Sequence, residues 1–243
     1  MSIPRFYCDS KLGPGAFVEL PPNAAVHATR VLRLQPGARI RLFNGDGHDY
    51  GAELSRVSKD RVSAKILDQR RVDSEAPFRA TLAQAISSGD RMDYTLQKSV
   101  ELGVHAIQPL ATERSVVKLS GERSEKRVLH WQNVVISACE QSGRAFVPQV
   151  ATPLPLLSWL AMPHTFSLKL MLSPEANLTL RDLQPDAGDI CLLTGCEGGF
   201  SPQERLAAEQ TGFIPVRLGP RVLRTETAAL AALAAMQTLW GDY

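Results

Sequence analysis

Residues 192–204 read LLTGCEGGFSPQE. An apolar run stops at Thr194-Gly195, one acid (Glu197) stands among three glycines, and Ser201-Pro202 has the form of a helix start. Glycine lets another group come close to the backbone, so a loop this small suits a ligand held by main-chain atoms. Its composition argues against a phosphate cradle. A P-loop needs a lysine and a hydroxyl after its last glycine, and a dinucleotide loop needs G-x-G-x-x-G; this loop reads GCEGGF. The Glu197 carboxylate would also repel a phosphate. The ligand expected here is neutral or cationic, such as an adenine edge or a sulfonium.

The run before this loop, DICLLTG, is one of a series. RATLAQAIS, HAIQPLAT, SLKLMLS and FIPVRLG are short and apolar, as buried parallel strands are. Helical stretches alternate with them: GDRMDYTLQKSVELG, the long GERSEKRVLHWQNVVISACEQSGR with Val128, Trp131, Val135 and Ala138 on one stripe, and TETAALAALAAMQTLW. This alternation predicts an α/β fold with helices on both faces of a parallel sheet. Open sheets of this kind bind ligands beyond the carboxyl ends of their strands. Three loops qualify: the glycine loop, RLGPRVLRTETA at 217–228, and the end of SLKLMLSPEA from Leu172. In the second, Leu218, Gly219, Val222 and Leu223 supply a turn and apolar walls, Arg224 supplies a cation, and Thr225 is an expected N-cap for the final helix.

Residues 1–72 have a different rhythm. AFVEL, ARIRLFNGDG, YGAELSRVS and RVSAKILDQ alternate apolar and polar residues, and Asn44-Gly45-Asp46-Gly47 is a hairpin signal. A small β-barrel follows, interrupted by one helix in NAAVHATRVLRL, where Ala25, Val31 and Leu32 are expected to be partly buried. RRVDSEAPF reads as a linker, giving expected domains at 1–72 and 73–243. The first segment holds 12 Lys+Arg against 7 Asp+Glu within a chain of net charge only +2. A basic barrel on a mildly acidic body points to a polyanion.

Over 243 residues, 44% hydrophobic and 21% charged content are those of a globular protein with a sizeable core. The four cysteines form no C-x-x-C pair and share no metal-ligand spacing with the five scattered histidines, so neither a disulfide framework nor a metal is expected. No signal peptide or membrane span is read, and a cytoplasmic location is expected.

TGCEGGFSPQE followed by LGPRVLRTETAALAAL resembles the C-terminal signature of the RsmE family of SPOUT methyltransferases. QKSVELGVHAIQPLATERSVVK and ACEQSGR resemble that family's central segments, and PRFYCD with HATRVLRLQPGARIRLFNGDG its N-terminal PUA-like barrel. Five stretches occur in the family's order. Cys196 departs from it, standing where the family usually has proline, which frees φ and restores a backbone N–H. The resemblance implies a SPOUT parallel sheet with a deep trefoil knot, plus a PUA-like β-barrel. It implies S-adenosyl-L-methionine as cofactor, with Leu172, Thr194, Gly195, Glu197, Gly198, Gly199, Leu218, Gly219, Val222, Leu223 and Thr225 around it. The implied reaction is methylation of uridine N3 in small-subunit rRNA, at uridine 1498 of 16S rRNA, carried out within the 30S subunit by a homodimer.

Uracil N3 carries a proton at neutral pH, so a base must take it or a cation must stabilise the anion that remains. Arg224 ranks first for that charge; Glu226 and Glu140 are candidate proton acceptors, as is Glu197, and Glu226 could equally serve the helix N-terminus. Substrate contacts are expected from Arg5, Arg30, Arg33, Arg114, Gln141 and Arg144, with Arg39, Arg41 and Lys59 as further phosphate contacts; Arg114 and Arg144 have surface ion pairs as their alternative. Two other functions remain open: a SPOUT enzyme modifying another nucleotide or a ribose 2′-OH, and an rRNA-binding protein without catalysis.

Overall fold

The computed structural model describes residues 3–58, 61–117, 119–185 and 188–243. Lys59 lies outside them. The chain divides into two compact units, one of Met1–Glu75 with Cys139–Val147, the other of Ala76–Ala138 with Pro148–Tyr243.

In the first unit, β1 (Arg5–Tyr7), β2 (Phe17–Glu19), β3 (Arg39–Phe43), β4 (His48–Val57) and β5 (Val62–Arg71) form one sheet in the order β1-β3-β4-β5-β2. β1 and β3 run parallel, and the other pairs are antiparallel. The β3–β4 turn is built as its sequence suggests. Gly45 and Gly47 take φ of 94° and 89°, and the Asn44 amide oxygen and an Asp46 carboxylate oxygen accept from the backbone amides of Asp46 and His48. The sheet curls round Phe6, Ile40, Leu42, Tyr50, Leu54, Val62 and Ile66. Its two edge strands come close, with Cys8 Sγ 3.9 Å from the Glu19 carbonyl oxygen.

The helix expected in residues 23–34 is shorter and changes pitch. α1 (Pro22–Val26) gives way to a π-helical turn at His27–Val31. Ala24, Ala25 and Ala28 pack inward as an α-helical face would. Val31 and Leu32, expected to be partly buried, are exposed instead. In an α-helix Val31 would follow Ala24 and Ala28 onto the inner face; the extra residue in the π turn rotates it outward.

Cys139–Val147 also belongs to the first unit. Arg5 donates to the Cys139 carbonyl at 2.7 Å and to Asp49 at 2.7 Å, and its guanidinium lies over the Phe43 ring. The Tyr7 amide donates to Glu140 at 2.9 Å. Arg144 is buried, and its guanidinium pairs with Glu75.

The second unit alternates strands and helices. β6 (Arg79–Ala85), α2 (Asp90–Glu101), β7 (Val104–Ala111) and α3 (Gly121–Ser142, whose last turn joins the first unit) come first. β8 (Gln149–Val150), β9 (Leu154–Pro155), α4 (Leu156–Leu160), β10 (Leu168–Leu172) and β11 (Leu178–Thr179) follow. β12 (Asp189–Thr194), α5 (Pro202–Gln210), β13 (Ile214–Arg217) and α6 (Thr225–Trp240) complete it. The strands run parallel in the order β11-β13-β10-β12-β6-β7-β8, with β9 also on β7.

α4 and α5 cover a core of Ala83, Ala85, Met171, Cys191, Leu193 and Phe213. The alternate residues Leu82, Leu170 and Leu192 are equally buried, so both faces of the sheet are covered, and α2 packs on α6. Cys139 and Cys191 are core residues, and burial pushes both thiols up, Cys139 to about 12. Among the described residues no helix is long and apolar enough to cross a membrane.

Candidate active site at the strand ends

β10, β12 and β13 lie side by side, and the loops leaving their carboxyl ends converge on a cavity of about 560 Å³. Leu172 comes from the first loop, Thr194, Gly195, Glu197, Gly198 and Gly199 from the second, and Leu218, Gly219, Val222, Leu223 and Thr225 from the third. All eleven positions expected to hold a cofactor line this one space. Arg224 and Glu226 line it too.

The glycine loop is shaped from three sides. Gly199 takes a φ of 64°, and its amide closes a turn on the Cys196 carbonyl at 2.9 Å. Behind it, Ser201 and Glu204 form a capping box on α5, with Pro202 at the helix start. Glu204 is buried and also accepts the Glu113 amide at 2.8 Å, joining the loop after β7 to the same corner. In that loop Arg114 donates to the Gly198 carbonyl at 2.9 Å, and Thr112 Oγ1 lies 3.6 Å from Cys196 Sγ. Arg114 was expected to face substrate; here its side chain bonds the backbone of the glycine loop.

Thr225 does not cap the final helix. Arg224 is the N-cap residue, without a side-chain cap bond, and Thr225 is the first helical residue. The Thr225 hydroxyl instead donates to the Gly195 carbonyl at 2.5 Å, drawing the third loop onto the second.

Gln84, which sequence reasoning missed, sits beneath both. It is fully buried at the end of β6, and its Nε2 lies within reach of Thr225 Oγ1 (3.2 Å), the Gly195 carbonyl (3.4 Å) and the Ala85 carbonyl (2.9 Å). A glutamine set among alanines and a leucine near the carboxyl end of a strand was the available signal. Gln84→Leu removes these bonds and leaves polar atoms unpaired, so it is expected to cost about 1–3 kcal/mol in urea unfolding and to weaken cofactor binding.

Glu197 is held rather than free. Its Oε1 accepts from the Ser88 amide (3.0 Å), the Ser88 hydroxyl (2.8 Å) and Arg91 Nη1 (2.7 Å). Burial alone would push this carboxyl up; its backbone amide, Arg91 and Ser88 outweigh that and bring it down to about 2. Being depressed, it stabilises fully above its ordinary value of 4.5 and loses that contribution as pH falls through about 2. The stability gap between wild type and Glu197→Gln is therefore expected to be constant at neutral pH and to close between these limits. Denaturant melts at graded pH would read it. Glu197 is a poor proton acceptor at neutral pH.

The remaining candidates lie elsewhere. Glu140, Gln141, Arg5, Arg30, Arg33 and Arg144 belong to the first unit and do not line the cavity. Burial pushes the Glu140 carboxyl up, and its Oε1 is occupied by the Tyr7 amide. Arg5 and Arg144 have the internal partners described above, while Arg30, Arg33 and Gln141 are exposed. Arg91, Arg205, Arg217 and Arg221 border the cavity without having been anticipated. Arg205 pairs with Glu175, whereas among the described residues Arg221 and Arg224 form no salt bridge.

Two polar atoms at the cavity wall, Thr194 Oγ1 and Glu226 Oε2, are buried without a hydrogen-bond partner among the described residues. Such atoms are the natural partners of a ligand with hydroxyl or amino groups. The glycine loop admits its backbone approach, and Leu172, Leu218, Val222 and Leu223 give an apolar bed. These residues fit a nucleoside-bearing cofactor with hydroxyl and amino groups.

Fold and site together define an RNA methyltransferase: residues 74–237 match the family model of the RNA methyltransferase domain, and residues 20–67 that of the RNA methyltransferase PUA domain. A ribosomal RNA small subunit methyltransferase E of Buchnera aphidicola (from Schizaphis graminum) is 35% identical over 240 residues, covering 99% of this chain and 98% of that one. The chain belongs to the ribosomal RNA small subunit methyltransferase E family. A solved member from Neisseria gonorrhoeae, bound to S-adenosylmethionine, is 48% identical with a TM-score of 0.92, covering 100% of both chains. A Legionella pneumophila methyltransferase solved with the same cofactor is 42% identical, TM-score 0.96, again covering 100% of both.

Proposed function

We propose that this protein methylates small-subunit rRNA with S-adenosyl-L-methionine, and that the acceptor is uridine N3, at the position numbered 1498 in 16S rRNA. The observation that carries this is the convergence of three strand-end loops on one cavity that has backbone and apolar surface for the cofactor and, at its wall, Arg224, a cation with no salt bridge among the described residues.

When bound, S-adenosylmethionine supplies an electrophilic methyl group on a sulfonium. The chain's residues do the rest. The glycine loop and Thr194 would hold the cofactor through backbone and hydroxyl groups, the leucine and valine walls would exclude water, and Gln84 with Thr225 keeps the loops in register. Arg224 stabilises the negative charge that develops on uracil oxygen as N3 loses its proton. Glu226, with one oxygen unpartnered, accepts that proton directly or through water. Glu197 is excluded from that role by its three donors, and Glu140 already accepts the Tyr7 amide.

In the same reading the first unit grips RNA through exposed arginines, the second carries the family's trefoil knot, and the protein acts as a cytoplasmic homodimer on the 30S subunit. The resemblance to the family supports these points. The test is transfer of labelled methyl to small subunits from a strain lacking the activity, followed by nucleoside analysis. Label in 3-methyluridine is the expected result. Label in another nucleoside, or cofactor binding without transfer, rejects the assignment.

A further inference from the structure

The first unit carries an outward turn that the chemistry above does not use. α1 and the π turn are seated on the barrel by Ala24, Ala25 and Ala28, which turns their other side to solvent. There Val31 is 66% exposed and Leu32 39%, and Arg30 and Arg33 are exposed on either side. The Leu32 amide closes the π turn on the His27 carbonyl at 3.0 Å, so the two aliphatic side chains are presented by a hydrogen-bonded element. Arg33 then reverses the chain with a φ of 53°, the one positive φ of a non-glycine residue among those described. Glycine is the residue this conformation favours, and an arginine here keeps a cation beside Leu32 at a cost to the backbone.

We propose that Val31 and Leu32 form an apolar wedge that enters between stacked bases of the RNA substrate while Arg30 and Arg33 hold the flanking phosphates. Apolar side chains inserted at a base step unstack it, and neighbouring cations fix the register along the backbone. The inference rests on the reading of this chain as an rRNA methyltransferase, whose target base must leave its stack to be reached. RNA is the fitting occupant because both aliphatics are bracketed by arginines in a segment rich in basic residues. The exposed aliphatics of this segment, Val26, Val31 and Leu32, are also too few for a stable protein interface.

The test uses the full-length protein and a small-subunit rRNA hairpin with 2-aminopurine beside the target uridine. Wild-type binding is expected to raise the 2-aminopurine fluorescence. Val31→Ser/Leu32→Ser is expected to bind with an unchanged salt slope, while the rise falls at least about threefold and methyl transfer to the hairpin about tenfold; transfer to an unstructured oligonucleotide stays level. Arg30→Ala/Arg33→Ala should reduce the salt slope by about two. Arg33→Gly, which suits the backbone, should keep or raise Tm while RNA affinity falls.

A full fluorescence rise with Val31→Ser/Leu32→Ser overturns the wedge, as does the lack of any rise with wild type. A changed oligomeric mass in the serine variant also overturns it, assigning the patch to contact between copies. Wild type that raises fluorescence without transferring methyl rejects the catalytic reading and leaves the wedge standing.

Discussion

Arg224→Ala lowers methyl transfer by about 10²–10³-fold while leaving the affinity for S-adenosylmethionine within about threefold; this is the expected result of removing one preorganised charge from the site of reaction. The side chain is not spent elsewhere. Arg224 is the N-cap residue of α6 yet makes no side-chain cap bond, and it forms no salt bridge among the described residues. It borders the cavity between Leu223 and Thr225, at the end of the loop that closes on Gly195. Arg224→Lys keeps the charge but loses the planar fork, so recovery should be partial. Single-turnover rates with labelled cofactor, alongside calorimetric cofactor titration, separate the two quantities. An unchanged rate in the alanine variant removes Arg224 from the mechanism; equal losses in rate and cofactor affinity would make it a cofactor contact.

Gly198→Ala is expected to weaken cofactor binding about 10–100-fold, the equivalent of an overpacking cost of about 1–3 kcal/mol. A Cβ built on Gly198 would lie 2.9 Å from the Cβ of Arg114. That atom is attached to the Arg114 backbone and cannot swing away, and Arg114 is anchored to the Gly198 carbonyl. Relief therefore requires moving the glycine loop. Arg114→Ala retains the opposing Cβ and should not rescue Gly198→Ala, whereas Arg114→Gly should recover much of the affinity. At Gly195 the nearest atom to an added Cβ is Gly199 Cα at 3.2 Å, and a smaller loss is expected there. Isothermal titration with S-adenosylmethionine reads the whole series; wild-type affinity in Gly198→Ala would show that the loop yields at no cost.

The elements of the second unit were legible because their signals are local. DICLLT is a strand by composition, Ser201-Pro202 starts a helix by its capping chemistry, and α6 spans the expected TETAALAALAAMQTLW. The cavity followed from one further rule, that ligands bind at strand ends, and the three loops it selected are the three that converge. What escaped depends on pairing over distance. Gln84 is one of three polar residues in β6, and only the return of Gly195 and Thr225 gives it a role.

Arg91 carries only a helix signal in the sequence, and its second role, holding Glu197, exists only once the fold brings the glycine loop to α2. Cys139–Val147 carries no mark of the unit it packs with, since its partners Arg5 and Tyr7 are remote in sequence. The exposure of Val31 was misjudged because heptad-like spacing assumes an unbroken α-helix, and one π turn defeats it. Thr225 was misplaced by a single position, which turned an expected cap into a link between two loops.

The place of β12 in the sheet also sets a timetable for making the protein. β6 and β7 can pair soon after synthesis, but the other edge of β6 waits for β12, joining Arg79 to Asp189 across a long stretch of chain. Closing so long a loop is slow, and the apolar edge stays open to other chains meanwhile. The glycine loop gains its hydroxyl anchor later still, when α6 brings in Thr225. A nascent chain halted before that helix has its central strands and no finished pocket, so cofactor can hold only molecules whose synthesis is essentially complete.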